Sequence, residues 1–187
     1  GMLALAVWGA VYMWTEIGDC VAAAGVRKMI FLNSHGGQIA PMEIVVRDLR
    51  VKHKMLTVAA SWFGLGMPDG VFSDTENRFG IHAGDMETSV MLALQPESVQ
   101  MDYARDFHPT IADISRENTH LGLSIAGKIG WQAQDMNPAG ACGNAAAASA
   151  EKGAKVIAHA AEQVVKLFAE VHRMPLSFLD KTVDQDC

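Results

Sequence analysis

Met29-Ile30-Phe31-Leu32 runs straight into Asn33-Ser34-His35-Gly36-Gly37-Gln38: large apolar side chains give way abruptly to a polar, glycine-bearing turn. A short apolar run flanked by Gly25 and Arg27-Lys28 has the length and borders of a buried strand. The glycines allow a sharp reversal behind it. His35 would then stand at the carboxyl end of a strand, the edge where open α/β sheets bind ligands.

Helix is expected on both sides of that strand. Upstream, residues 4–24 form a nearly continuous apolar stretch into which polar residues enter at helical spacing, ending at Ala23-Ala24-Gly25. Downstream, residues 38–53 carry Ile39, Met42, Val45, Val46 and Leu49 as one stripe, with Arg47, Asp48, Arg50 and Lys52 outside it. Met55 to Ala60 reads as a second buried strand. Trp62 to Gly80 is rich in glycine and proline and reads as a long functional loop. A helix over Asp85 to Leu94 stops before Pro96, and the last helix spans about 146–172. Residues 97–120 carry only a weak pattern, Leu121 to Ile125 reads as a strand, and Gly127 to Gly143 as loop. Strands alternating with helices predict an α/β fold with a largely parallel sheet covered on both faces.

The 187 residues, half of them apolar, suit a single domain over residues 2–187. A net charge of −6 without a basic cluster argues against nucleic acid as a partner. Cys20, Cys142 and Cys187 have neither metal-finger nor disulfide-framework spacing, which fits a reducing, cytoplasmic setting. The apolar start lacks a basic leader and falls short of the roughly 20 residues a membrane span needs, so it reads as a core helix. Gly1 stands ahead of an initiator-like Met2 and is left out of the fold reading.

A second segment, His82-Ala83-Gly84-Asp85-Met86-Glu87-Thr88-Ser89, places a histidine before a helix and a glutamate in its first turn. Five residues apart, the two would diverge on one continuous helix, so His82 belongs to the preceding loop. Asp85 is the expected N-cap. His35 and Glu87 are candidate metal ligands, and His82 is a candidate acid/base. Each also has a plain structural reading: His35 as a turn residue satisfied by backbone carbonyls, Glu87 as an acid favoured by the helix dipole. Trp62 and Trp131 fall in irregular stretches, where packing is the commoner role, although paired tryptophans suit flat heterocycles or amides. Asp74 and Glu76 read as carboxylates of a solvated loop. His53, His108, His120, His159 and His172 show no partner pattern, and Cys142 reads as a small packing residue.

These motifs resemble those of the creatininase (creatinine amidohydrolase) family of metal hydrolases. Residues 33–38 are similar to the family's Asn-Gly-His-Gly-Gly-Asn turn, and residues 82–89 to its His-Ala-Gly-Glu-x-Glu-Thr-Ser segment. Residues 131–153 are similar to its glycine-rich approach to the last helix. The resemblance implies a three-layer α/β/α fold, two divalent metal ions (zinc, manganese or iron) and a homo-oligomer, often a hexamer. It makes His35 and Glu87 metal ligands and His82 the proton shuttle to the leaving nitrogen, with a metal-bridging hydroxide attacking a small cyclic or formyl amide.

The family's amino-terminal Glu-x-His-Gly-x-His segment has no counterpart here, so the chain reads as an N-terminally truncated family domain. An apolar start left without that strand should favour oligomerisation. Gly37 stands where creatininases proper are expected to carry glutamate, which makes creatinine itself a poor candidate substrate. Asp85 and Gln38 replace a glutamate and an asparagine. The readings that follow are a metal-dependent amidohydrolase, a catalytically inactive structural or binding subunit that has lost the two-metal centre, and an apolar-ligand binder using Trp62 and Trp131 as a clamp.

Overall fold

The structure, a computed structural model, describes residues 6–123 and 126–180. Residues 1–5, the Ser124-Ile125 end of the expected strand, and Cys187 lie outside the described residues. In chain order the elements are α1 (Val7–Ala23), β1 (Lys28–Asn33), α2 (Ile39–His53), β2 (Leu56–Ser61), α3 (Asp74–Phe79), α4 (Asp85–Leu94), β3 (Asp106–Phe107), α5 (Thr110–Glu117), β4 (Leu121–Gly122), β5 (Gly127–Lys128), α6 (Ala133–Met136), β6 (Gly143–Asn144) and α7 (Ala150–Arg173), joined by turns and short 3-10 segments. No helix among the described residues is long and apolar enough to cross a membrane. The chain forms two compact units, Gly1–Gly66 with Ala160–Cys187, and Met67–His159.

In the first unit β1 and β2 pair in parallel, from Lys28 opposite Leu56 to Asn33 opposite Ser61. The stripe on α2 faces inward as its periodicity requires: Val45 and Leu49 are fully buried and Met42 nearly so. Gly18 fixes how closely α1 approaches α2, because a Cβ there would fall 2.3 Å from a Leu49 methyl. On the same face Asp19 accepts hydrogen bonds from Lys52 Nζ and from His53 Nε2, the latter at 2.7 Å. Lys52, and then His53, hold the Asp19 carboxyl below its ordinary value. His53 therefore has a partner that spacing along the chain did not suggest. Lys28 Nζ donates to the carbonyls of Val171, His172 and Met174 at 2.9, 2.6 and 2.6 Å. A cation is thereby set against the carbonyl end of α7, where the helix dipole favours it.

The second unit is built on Ile111, Met136 and Cys142, packed by Phe79, Ile81 and Ile114. Burial pushes the Cys142 thiol up, which fits an inert packing residue. β3 and β6 pair antiparallel, β4 and β5 in parallel. Three helices, α3, α5 and the four-residue α6, occupy stretches read as loop or as carrying only a weak pattern. α5 spans only two turns, too few for its Ile111 and Ile114 to establish a period. α3 interrupts the supposed loop, with Ser73 Oγ accepting the Glu76 N–H as its N-cap. α7 begins at Ala150 rather than near 146. Its first turn approaches α4 so closely that a Cβ on Gly153 would lie 1.9 Å from the Ser89 carbonyl oxygen.

Candidate functional site

The His35 turn is organised by one side chain. The Asn33 carboxamide, 3% exposed, accepts the His35 N–H at 3.0 Å and donates to the His35 carbonyl at 2.9 Å. It also donates to Ser61 Oγ at 3.0 Å, joining the ends of β1 and β2. This is a local Asx-type brace, as the Asn-Ser-His order leads one to expect. The His35 imidazole makes no hydrogen bond among the described residues. A Cβ on Gly37 would stand 3.1 Å from His35 Nε2, so any side chain at that position would press on the imidazole. Trp62 opens the turn after β2 and meets Phe63 edge-on, centroids 5.7 Å apart.

His82 sits in the second unit on an isolated antiparallel bridge to Cys142: it donates to the Cys142 carbonyl at 3.4 Å and accepts from the Cys142 N–H at 2.6 Å. The next residue, Ala83, takes a left-handed conformation with φ 51°, uncommon for a residue with a Cβ. Both of its main-chain groups are tied to the first turn of α4. Glu87 Oε2 accepts the Ala83 N–H at 2.7 Å, and Thr88 Oγ1 donates to the Ala83 carbonyl at 3.3 Å. The same Glu87 oxygen lies 3.8 Å from His82 Nδ1, within ion-pair range but too long for a hydrogen bond. Both side chains are about half exposed. The loop before α4 thus brings His82 and Glu87 together, and Glu87 also performs the helix-terminus service that its position allows. Trp131 is 38% exposed and makes no ring contact among the described residues.

Two carboxylates have different surroundings from those their sequence context suggests. The N-cap of α4 is Gly84, which has no side chain to offer. Asp85 is instead buried, 2.6 Å from Lys152 Nζ and accepting from Ser89 Oγ at 3.1 Å. Glu76, read as solvated, is 6% exposed. Its Oε1 accepts the Met86 N–H at 3.2 Å and its Oε2 the Asn144 N–H at 3.0 Å. A remote carboxylate therefore supplies the anion that Gly84 cannot, at the positive end of α4. Room for it is kept by glycines: a Cβ on Gly80, Gly84 or Gly143 would come within 2.2, 2.4 or 2.8 Å of the carboxylate. The Ser73-Asp74-Thr75-Glu76 spacing is the signal that could have marked a helix start inside the supposed loop, but nothing local marks where this carboxylate reaches.

Among the described residues no group of three or more His, Cys, Asp or Glu side chains could hold a metal ion. His82 and Glu87 make a pair of donors, short of the three or four that a zinc site needs.

The chain belongs to the creatininase family, whose sequence profile, described as creatinine amidohydrolase, matches residues 4–168. Among solved structures it is similar to a putative creatinine amidohydrolase from Bacteroides fragilis NCTC 9343, at 26% identity and a TM-score of 0.74, covering 93% of this chain and 65% of that one. A creatininase described as Mn matches at 21% identity and TM-score 0.65, covering 91% and 66%. A mutant creatininase of Zn-Zn type matches at 20% identity and TM-score 0.64 with the same coverage. The α/β fold is accordingly creatininase-like. A curated relative, the mycofactocin precursor peptide peptidase of Mycobacterium ulcerans (strain Agy99), is 27% identical over 150 residues, 79% of this chain and 50% of its own length. The chain thus spans half the length of that relative and just under two thirds of the Bacteroides protein.

Proposed function

We propose that this chain carries part of the machinery of a metal-dependent amidohydrolase acting on a small cyclic or formyl amide. The observation that supports it most directly is the His82–Glu87 pair, held beside a left-handed Ala83 with the imidazole open to solvent. In this reading His82 carries a proton to the departing nitrogen, its solvent-exposed imidazole standing beside the Glu87 carboxylate. Asn33 and Glu76 hold the two histidine loops in place, and Trp62 and Trp131 contact substrate. His35 and Glu87 each contribute one ligand to divalent metal, zinc or manganese. The described donors fall short of a complete ligand set, so the remainder would come from outside the described residues, and no step is assigned to the metal. Peptide amides join the substrate candidates because the Mycobacterium ulcerans relative is named a peptidase. A homo-oligomer in the cytoplasm, of hexamer type, completes the proposal.

The shortage of donors also favours a second reading, a structural or binding subunit without catalysis. Metal analysis after loading with zinc or manganese, paired with turnover assays on cyclic, formyl and short peptide amides, separates the two. The enzyme reading expects about two ions per protomer, and a His82→Ala variant that keeps its metal and loses turnover. Full activity in that variant would remove His82 from the chemistry, and absence of bound metal would favour the second reading.

A further inference from the structure

The outward face of α1 leaves its largest side chains in water. Trp8 is 71% exposed and Tyr12 69%, with Met13 and Ile17 close to half. Gly18, where the helix meets Leu49 of α2, lies on the other side. Trp8, Tyr12 and Glu16 recur every four residues and so form one exposed ridge along the helix. Among the described residues, the indole N–H, the phenol hydroxyl and the Glu16 carboxylate make no hydrogen bond or ion pair. We infer that this face pairs with the same face of a second copy, the two α1 helices running antiparallel about a two-fold axis at Tyr12. That pairing would give the homo-oligomer proposed above its surface, and it does not depend on the amide chemistry. Spacing selects the arrangement. Trp8 and Glu16 each stand about 6 Å along the helix from Tyr12. An axis there sets each Trp8 indole opposite Glu16 of the second copy, donor against acceptor, twice over. A parallel pairing would instead set Glu16 against its own counterpart, like charge on like, and leave both indoles without an acceptor. Trp and Tyr at the centre of a face are the residue types that carry most binding energy at interfaces. A whole Trp or Tyr side chain buries about 150–250 Å², so four rings at this exposure would remove roughly 550 Å² from water. Met13, Ile17 and Cys20 beside them bring the total toward the about 1,000 Å² of a specific interface. A lipid surface fits less well: α1 has no lysine or arginine to meet headgroup phosphates, and it carries Glu16 and Asp19.

Sedimentation equilibrium on the full chain, from micromolar to submillimolar protein, tests this. The parent should form a dimer or a larger even-numbered assembly. Trp8→Glu, which sets a second carboxylate opposite Glu16 of the other copy, should weaken pairing at least about hundredfold and halve the mass of the assembly. Trp8→Arg, which offers that glutamate an opposite charge instead, should weaken it only about tenfold. The position is exposed, so circular dichroism and urea midpoints of both variants should match the parent. Oxidising a Cys187→Ser variant should give no disulfide between copies through Cys20, because the antiparallel register holds those residues about 24 Å apart along the helix. A monomeric parent overturns both this inference and the proposed oligomer. An odd-numbered assembly, an assembly unchanged in Trp8→Glu, equal losses in Trp8→Glu and Trp8→Arg, or a Cys20 cross-link overturns the α1 pairing alone. So does binding of the parent to phosphatidylcholine vesicles that Trp8→Glu abolishes.

Discussion

The loops that carry His35 and His82 solve the same problem by opposite means. Each must follow a strand or helix and present an imidazole to solvent. The His35 turn is braced from two residues away, by an asparagine whose carboxamide closes on the turn's own backbone. The His82 loop is braced from a distance: Cys142 pairs with its backbone, and Glu76 anchors both the start of α4 and Asn144. Local bracing needs only the right residue type at the right offset. Distant bracing needs a folded unit, since Glu76 reaches its donors only after Gly80, Gly84 and Gly143 have left it room. The second loop should consequently fail together with its surroundings, and the first by itself.

The sharpest way to break that contrast is Glu76→Ala. It strands two part-buried N–H groups and opens a void where a buried carboxylate sat, and should cost about 4 kcal/mol in urea denaturation. Glu76→Gln, which keeps an acceptor, should cost roughly half as much. A loss under about 1 kcal/mol for the alanine variant would mean that the distant brace is dispensable. Asn33→Ala should cost less, about 2 kcal/mol, with hydrogen exchange at the His35 amide accelerated while the amides of the second unit are unchanged. Spread of faster exchange into residues 82–87 would contradict the separation drawn here. The smallest effect is expected at Ala83→Gly. Relief of the left-handed strain is partly offset by the freer unfolded chain, leaving a gain of about 0.5 kcal/mol. Destabilisation there would show that the Ala83 methyl is needed for packing.

Legibility follows the same division. β1, α2, β2, α4 and α7 were visible because each carries enough apolar residues at its own period to mark a face. The Asn33 brace acts within its own turn, where residue type and offset alone suffice. α3, α5 and α6 were missed since six, eight and four residues supply too little period. The assignment of Asp85 as N-cap failed for a related reason. An aspartate before a helix is a good cap in isolation, but Lys152, brought in by α7, draws it inward and leaves the terminus to Glu76. The imidazoles of His53 and His108 likewise found aspartates, Asp19 and Asp113, one of them on another helix.

What the sequence by itself determined is the family, the order of the longer elements β1, α2, β2, α4 and α7, and the placing of His82 ahead of α4 with Glu87 in its first turn. The family is carried by the motifs at residues 33–38 and 82–89 and by the profile match, whereas the elements follow from hydrophobic period and turn chemistry, which act over a few residues. Only the tertiary structure decided which carboxylates are buried, which helix end each one serves, and that His82 and Glu87 meet at a strained alanine. Electrostatic partners are chosen by proximity in space, and burial multiplies the cost of a wrong choice. No pattern along a single chain encodes that proximity until the elements have packed.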